Sequence, residues 1–281
     1  MLKVALTHDI DRITKTYQYF THTLRALKNG QVEKVLYYIS SFPNRKNVYW
    51  NFDEMIEIEN EYNVKSTCFF LNESCKFQFY NPKNWKLSLG RYDIHEDRVV
   101  SMIRYLDQNG WEIGLHGSYN SFNNQGLLKK EKEELESIVG HPIIGTRQHY
   151  LNLNDNTWSI QNEVGLKYDS SFGFSRNIGY KDNQITPFRP IDNEFIVFPL
   201  VIMDSCYMNT KDREEKLKEL INITEDSNGV LVINWHNNYF CEKEFPGWRQ
   251  AYIQIIEECL NRDAIIKPLS FFYNNYVNDA K

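Results

Sequence analysis

Strand-like and helical patterns alternate along almost the whole chain, and this order is the strongest constraint on its fold. The strand-like segments are short apolar runs, and amphipathic helical patterns separate most of them. Such alternation predicts an α/β fold with a parallel sheet. We expect strands at about 2–6, 64–71, 111–115, 143–147, 165–169, 195–203, 229–236 and 265–269, helices at about 13–27, 32–39, 51–62, 97–109, 127–139, 155–164, 212–224 and 248–260, and a long irregular loop at 73–96.

Six of the predicted strands end in a titratable or strongly polar side chain. In a parallel barrel the chemistry gathers at the carboxyl ends of the strands. The first strand is the most informative, because Asp9 and Asp11 follow it and aspartate is rarely buried unless it is paired or bound to a metal. Two carboxylates at this spacing can serve one centre, one binding a cation and the other holding a proton. The strand-end residues are Asp9 with Asp11, His116, Arg147, Asp169, Asp204 and His236.

Composition narrows the class of protein. The 281 residues show no internal repeat and no linker, which favours a single domain over 1–281 with a large core. The net charge is -5 with acidic and basic residues mixed throughout, which argues against a nucleic-acid partner. Aromatic residues make up 15% of the chain, a content that fits a stacking surface for carbohydrate as well as a large core.

The cysteines and the N-terminus bear on cellular location. The five cysteines are scattered without a Cys-x-x-Cys pair, so they predict reduced thiols and neither a thiolate zinc site nor a redox motif. The chain enters its first strand directly and has no run of about 18 apolar residues. We therefore expect a cytoplasmic protein without a membrane-spanning segment.

Four short motifs, in this order along the chain, carry a resemblance to a known family. They are Thr-His-Asp-Ile-Asp at 7–11, Leu-His-Gly-Ser-Tyr-Asn at 115–120, Arg-Gln-His-Tyr at 147–150 and Leu-Val-Ile-Asn-Trp-His at 231–236. They resemble the Asp-x-Asp, His-Ser/Thr-x-x-His, Arg-x-Pro-Tyr and strand-His motifs of the polysaccharide deacetylases of carbohydrate esterase family 4, the nodulation-type de-N-acetylases. The resemblance covers about residues 2–269 and implies a distorted (β/α)7-type barrel.

The resemblance also implies a metal centre beside a catalytic base. Asp9 would be the base, and Arg147 would lie against it and keep it ionised. Asp11 and His116 would bind a divalent metal, expected to be zinc, with cobalt or nickel as alternatives. The metal would activate a water molecule and polarise the acetyl carbonyl of the substrate.

A histidine and an aspartate would complete the machinery that the resemblance implies. His236 would protonate the leaving sugar nitrogen, and an aspartate on its other ring nitrogen would fix its tautomer. Asp169 fits the chain order better than Asp204, which also ends a strand, so we predict Asp169. Tyr119, Trp85, Tyr150 and Trp235 are the aromatic residues that could stack on a sugar ring.

Two motifs depart from the family pattern. Asn120 stands where the second metal-binding histidine is expected, and an amide oxygen suits zinc less well than an imidazole. His149 replaces the proline of the third motif. The third metal ligand is therefore open between Asn120 and His149, with His8 as a weaker candidate.

Three functions remain open from the sequence. The leading hypothesis is a metal-dependent hydrolase that removes N-acetyl groups from an amino sugar of a surface polysaccharide or its precursor. The second is a glycan-binding pseudoenzyme that has lost its metal, for which Asn120 is the argument. The third is a metal-dependent amidohydrolase that acts on a non-carbohydrate amide. The expected partner is thus an N-acetylated carbohydrate, and no particular oligomeric state is implied.

Overall fold

The computed structural model describes residues 1–44, 48–191 and 194–278, in which nine strands and eleven α-helices follow one another. The strands are β1 (Lys3–Ile10), β2 (Thr67–Leu71), β3 (Glu112–Gly117), β4 (Gly145–Gln148), β5 (Tyr168–Asp169), β6 (Ile196–Val197), β7 (Leu200–Met203), β8 (Leu231–Asn234) and β9 (Ile265–Ile266). The helices are α1 (Gln18–Lys28), α2 (Val32–Asn44), α3 (Phe52–Glu61), α4 (Pro82–Ser88), α5 (Asp97–Gln108), α6 (Gln125–Val139), α7 (Thr157–Glu163), α8 (Asp204–Asn209), α9 (Arg213–Asp226), α10 (Trp248–Leu260) and α11 (Leu269–Asn278).

The strands pair in parallel and form one curled sheet. Their order is β6–β5–β4–β3–β2–β1–β8–β7, and β9 pairs with the start of β1. The two end strands, β6 and β7, are separated in the chain only by residues 198–199. Leu200 at the start of β7 also donates its N–H to the carbonyl oxygen of Phe172, 2.8 Å away. Chain continuity thus joins the ends of the sheet, and the predicted α/β fold, a distorted (β/α)7-type barrel, is confirmed.

The side chains of β1 alternate between two cores. Val4 and Leu6 pack in the core between the sheet and the helices, whereas Ala5 belongs to a second core inside the barrel. Because successive side chains of a strand point to opposite faces, Asp9 lies on the inner face and His8 faces the helices. The periodicity of this strand therefore decides which of its polar residues reach the site.

Three helices were not predicted from the sequence. The short helix α4 lies inside the predicted loop 73–96, α8 is a single turn directly after β7, and α11 follows β9. The predicted closing strand 265–269 is correspondingly reduced to Ile265–Ile266. Helix α11 has a structural role that its aromatic sequence does not reveal, since Leu269, Phe272 and Tyr273 fill the core inside the barrel.

A buried carboxylate ties the helices to the back of β1. Glu59 on α3 accepts hydrogen bonds from Tyr252 Oη at 2.9 Å and from Trp111 Nε1 at 2.7 Å, and its Oε1 lies 2.7 Å from His8 Nε2. The other ring nitrogen of His8 lies 2.5 Å from the carbonyl oxygen of Trp235. His8 is therefore a buried structural residue that faces away from the strand-end site, and its candidacy as a metal ligand was wrong.

We expect Glu59→Ala to destabilise the fold by about 3 kcal/mol, because it leaves three buried polar groups without their partner. The free energy of unfolding, measured by urea titration, checks this. Glu57→Ala on the same helix is the matched control: this side chain is 72% exposed, so its removal should change stability by less than about 0.5 kcal/mol. Equal losses in the two variants would contradict the role given to Glu59.

Candidate active site

Six of the eight predicted site residues meet at the carboxyl ends of four strands. Asp9 and Asp11 come from the end of β1, His116 from β3, Arg147 and His149 from β4 and the turn after it, and His236 from the residues after β8. Ion-pair distances of 2.9 to 3.9 Å connect the carboxylates with the four basic groups. The other two predicted residues, Asn120 and Asp169, lie elsewhere.

Asp9 is a buried carboxylate held on both oxygens. Its Oδ1 accepts a hydrogen bond from Arg147 Nη1 at 2.9 Å, and its Oδ2 accepts one from Asn234 Nδ2 at 2.8 Å. Burial acts to raise the pKa of Asp9, but Arg147, with His116 and His236, outweighs it and holds that pKa below its ordinary value. Asp9 is thus an ionised group with a fixed orientation, as a general base requires.

Arg147 is itself fixed inside the barrel. Its side chain is fully buried, and its guanidinium lies 4.7 Å from the centre of the Phe69 ring. Nη1 donates to Thr7 Oγ1 at 2.8 Å, while Nε and Nη2 donate to the carbonyl oxygen and the hydroxyl of Ser170 at 2.8 and 3.0 Å. With Asp9, these groups accept hydrogen bonds from four of the five N–H donors of the buried guanidinium.

Asp11, His116 and His149 form a group whose ligand atoms all lie within 4.8 Å of one another. Asp11 Oδ1 lies 3.1 Å from His116 Nε2, and Asp11 Oδ2 lies 3.6 Å from His149 Nε2. Ligands of a tetrahedral zinc ion are about 3.3 Å apart, so these separations suit a divalent metal. Asp11 Oδ1 is buried and has no hydrogen-bond partner among the described residues, which is the state expected of an atom whose partner is a cation.

The outer contacts of the two histidines direct their Nε2 atoms toward Asp11. His116 Nδ1 lies 2.8 Å from the carbonyl oxygen of Arg147 and must donate to it, which leaves Nε2 with a lone pair. The outer nitrogen of His149, Nδ1, lies 3.7 Å from the Glu73 carboxylate, and its Nε2 faces both Asp11 and the Arg91 guanidinium, the latter at 3.3 Å. One carboxylate and two imidazoles are a donor set that fits a divalent cation, which would take the place of Arg91 at His149 Nε2.

The third member of this group is His149, not Asn120. Asn120 is exposed at the start of the 3₁₀ turn 121–123, outside the group that Asp11, His116 and His149 form. His149 begins a turn in which Tyr150 has the left-handed φ of 61°, a conformation that costs energy for a residue other than glycine. This turn brings His149 back toward the strand ends, beside Asp11 and His116, whereas the role of Asn120 as a ligand stays a prediction.

The partner of His236 is Asp204, and the prediction of Asp169 was wrong. Asp204 Oδ2 lies 2.6 Å from His236 Nδ1 and also accepts the backbone N–H of His236 at 2.7 Å. Burial acts to lower the pKa of His236, but the Asp204 carboxylate more than compensates and raises it to about 10. Asp204 thus favours the imidazolium form of His236, whose Nε2 lies 3.9 Å from Asp11 Oδ2.

Asp169 has a different role, which is to shape the turn that supports Arg147. Its carboxylate accepts the N–H and the hydroxyl of Ser171 at 2.8 and 2.6 Å and the amide of Gln161 at 3.0 Å. Burial raises its pKa. Because Ser170 lies within this turn and binds the Arg147 guanidinium, Asp169 contributes to the site through the backbone and not through His236.

Sequence reasoning missed three polar residues of the site. Asn234 lies in a predicted apolar strand and binds both the carboxylate and the backbone N–H of Asp9. Glu73 lies 3.7 Å from His149 Nδ1, and Arg91 donates to the backbone oxygen of Asp11 at 2.9 Å. An asparagine inside an otherwise apolar strand was a usable signal for Asn234. Glu73 and Arg91 lie in the irregular segment, where no pattern marks them.

An open cavity of about 840 Å³ adjoins the turn that carries His149. Tyr119 and Tyr150 both line it, and the ring of Tyr150 lies 4.4 Å from that of His149. Much of its remaining lining consists of side-chain amides, from Gln78, Asn81, Asn84, Asn120 and Asn152. The other two aromatic candidates lie differently: Trp235 is fully buried, and Trp85 packs near Phe77 and Phe79.

Comparisons with known proteins establish the fold. No family model and no curated protein matches the chain. A protein from Mycobacterium smegmatis assigned as a polysaccharide deacetylase is 18% identical, with a TM-score of 0.64 over 99% of this chain and 91% of that one. A protein from Pseudomonas aeruginosa PAO1 with the same assignment is 12% identical, with a TM-score of 0.60 over 98% of this chain and 90% of that one. The chain thus has the fold that the resemblance implied.

The turn after His116 rests on a carboxyl group with an unusual pKa. Glu131 on α6 is buried, and its Oε2 accepts the backbone N–H of Ser118 at 3.1 Å. Burial raises the pKa of Glu131 from 4.5 to about 7. The folded state therefore binds a proton at Glu131 more tightly than the unfolded state does, and stability falls as the pH rises from about 4.5 to 7.

We expect Glu131→Gln to remove this dependence. The variant should gain up to about 3 kcal/mol over the wild type at pH 8 and nothing comparable at pH 4.5, because the amide cannot ionise. Urea unfolding of both proteins at the two pH values measures the difference. Glu133→Gln is the control, since Glu133 lies exposed on the same helix. A stability difference that does not change with pH would refute the argument.

The metal group makes a second prediction at this site. We expect the purified protein to bind about one zinc ion after loading and desalting, and Asp11→Ala, His116→Ala and His149→Ala each to lose most of it. Elemental analysis by mass spectrometry gives the stoichiometry. Asn120→Ala should retain the metal. Retention by His149→Ala together with loss by Asn120→Ala would reverse the assignment of the third ligand.

Proposed function

We propose that this protein is a metal-dependent hydrolase that removes N-acetyl groups from an amino sugar of a surface polysaccharide or its precursor. One observation carries the proposal: the Asp11–His116–His149 group lies between a clamped carboxylate, Asp9, and a histidine paired with a carboxylate, His236. A base, a metal group and an acid are the three components that hydrolysis of an amide needs.

Each component has a defined task in this proposal. A bound divalent cation, with zinc the best match to one carboxylate and two imidazoles, would lower the pKa of a water molecule and polarise the acetyl carbonyl. Asp9 would take the proton of that water, since Arg147 and Asn234 keep the carboxylate ionised and aimed. His236 would give its proton to the leaving nitrogen. Asp204 holds Nδ1 of that histidine, so the proton available for transfer is the one on Nε2.

The cavity beside His149 supports a carbohydrate substrate. Its two exposed tyrosines, Tyr119 and Tyr150, offer aromatic surface for the apolar face of a sugar ring, and its amides can both donate to and accept from hydroxyl groups. The fold shared with proteins assigned as polysaccharide deacetylases agrees with this class of substrate.

We expect the zinc-loaded protein to release acetate from N-acetylated amino sugars and oligosaccharides. Asp9→Asn and His236→Ala should each lower kcat by about 10²- to 10⁴-fold, because each removes a proton-transfer group. Both variants should keep their metal, which separates this loss from the loss of the metal ligands. Asp155→Asn, an exposed carboxylate on the same protein, should leave kcat unchanged.

The same assay separates the alternatives. A protein that binds N-acetylated oligosaccharides without metal and without acetate release would be a glycan-binding pseudoenzyme. A zinc-loaded protein that cleaves small cyclic or linear amides but none of the sugars would be an amidohydrolase on a non-carbohydrate substrate. Either result would overturn the proposed function.

A further inference from the structure

Helices α1 and α2 form a hairpin that packs on the rim of the barrel. Residues 29–31 connect the two helices, and their inner faces meet in a small core of Ala26, Val35 and Tyr38, distinct from the two cores of the barrel. A buried ion pair between Lys15, just before α1, and Glu244, in the segment after β8, fixes the hairpin to the rim. Lys15 Nζ also lies 4.2 Å from the centre of the Tyr38 ring.

The outer face of this hairpin is apolar and exposed. On α1, Phe20, Leu24 and Leu27 follow one another at helical spacing, and Val32, Leu36 and Ile39 repeat that spacing on α2. Their exposed fractions run from 49% for Leu24 to 69% for Phe20, and Phe42 at the end of α2 is 63% exposed. So many large apolar side chains on one surface indicate an interaction site. We call these seven residues the apolar stripe.

The charge of the hairpin indicates what covers the apolar stripe. Residues 18–44 carry three cations, Arg25, Lys28 and Lys34, against one carboxylate, Glu33, although the whole chain has a net charge of -5. Lys28 is exposed and lies one helical turn after Leu24, at the border of the stripe, whereas Arg25 and Lys34 line a cavity with Glu244 on the other side of the hairpin. In a symmetric dimer through this face, the net positive charge of each hairpin would repel that of its copy. An anionic lipid surface offers both an apolar layer and negative charge.

We propose that the hairpin is an interfacial element that docks on an anionic lipid bilayer, with the apolar stripe among the acyl chains and Lys28 at the headgroups. An exposed apolar face on a segment of net positive charge is typical of helices that lie in the plane of a membrane. No helix among residues 1–44, 48–191 and 194–278 has the length and apolar content to cross a bilayer. The hairpin follows the carboxyl end of β1, so docking would place the rim of the candidate active site toward the lipid surface.

Vesicle co-sedimentation of the full chain tests this inference. We expect binding to vesicles of phosphatidylcholine mixed with phosphatidylglycerol, little binding to phosphatidylcholine alone, and weaker binding as salt increases. The double variants Leu24→Ser/Leu36→Ser and Arg25→Glu/Lys28→Glu should each reduce the binding by about tenfold or more. Because the substituted side chains are exposed, the variants should keep the circular dichroism spectrum of the wild type.

Matched variants outside the hairpin complete the test. Tyr105→Ser on α5 removes another exposed apolar side chain, and Lys129→Glu/Lys130→Glu on α6 makes the same charge change; neither should alter vesicle binding. Equal binding to neutral and anionic vesicles, or stripe variants that bind like the wild type, would overturn the proposal. A wild-type dimer that does not bind vesicles and becomes monomeric in Leu24→Ser/Leu36→Ser would assign the stripe to a second copy instead. None of these readouts depends on hydrolase activity, so this inference and the proposed function can fail independently.

Discussion

The buried pair of Asp9 and Arg147 is the interaction on which the rest of the candidate site depends. A carboxylate and a guanidinium inside a barrel lose most of their hydration, so the pair is stable only when the remaining donors and acceptors are satisfied. Thr7, Ser170 and Asn234 meet that requirement, and they come from β1, the turn after β5, and β8. The pairing of these strands and the protonation state of Asp9 therefore depend on the same set of buried hydrogen bonds.

Arg147 also connects Asp9 to the group of Asp11, His116 and His149. Its carbonyl oxygen accepts from Nδ1 of His116, its register partner on β3, while its side chain orients Asp9. His149 follows two residues later, after the chain leaves β4 and turns through the left-handed Tyr150. Since one four-residue strand and its turn thus orient the base and two of three candidate metal ligands, a shift of β4 would disturb all of them together.

The sequence was sufficient for the parts of the site that depend on strand order. Because the strands are parallel, Asp9, Asp11, His116, Arg147 and His236 had to gather at one rim wherever the loops ran. The choice between two aspartates for His236 had no such basis, since it depends on where the chain crosses from β6 to β7. That crossing places Asp204 next to β8, whereas Asp169 lies on β5, near the opposite end of the strand order.

The third ligand and the hairpin show a second limit of the same kind. Asn120 and His149 both follow strand ends, and the sequence does not show the left-handed turn at Tyr150 and Leu151 that accompanies the approach of His149 to Asp11. The sequence predicts the hairpin as two helices, but periodicity does not tell whether an apolar face meets the core or solvent.

The hairpin and His236 border one aromatic cluster. The ring of Phe245 lies 6.5 Å from that of His22 on the hairpin and 4.6 Å from that of Tyr239. The ring of Tyr239 in turn lies 5.8 Å from that of His236. Packed rings transmit small displacements, because interiors have little free volume. A continuous series of ring contacts therefore connects the hairpin with His236.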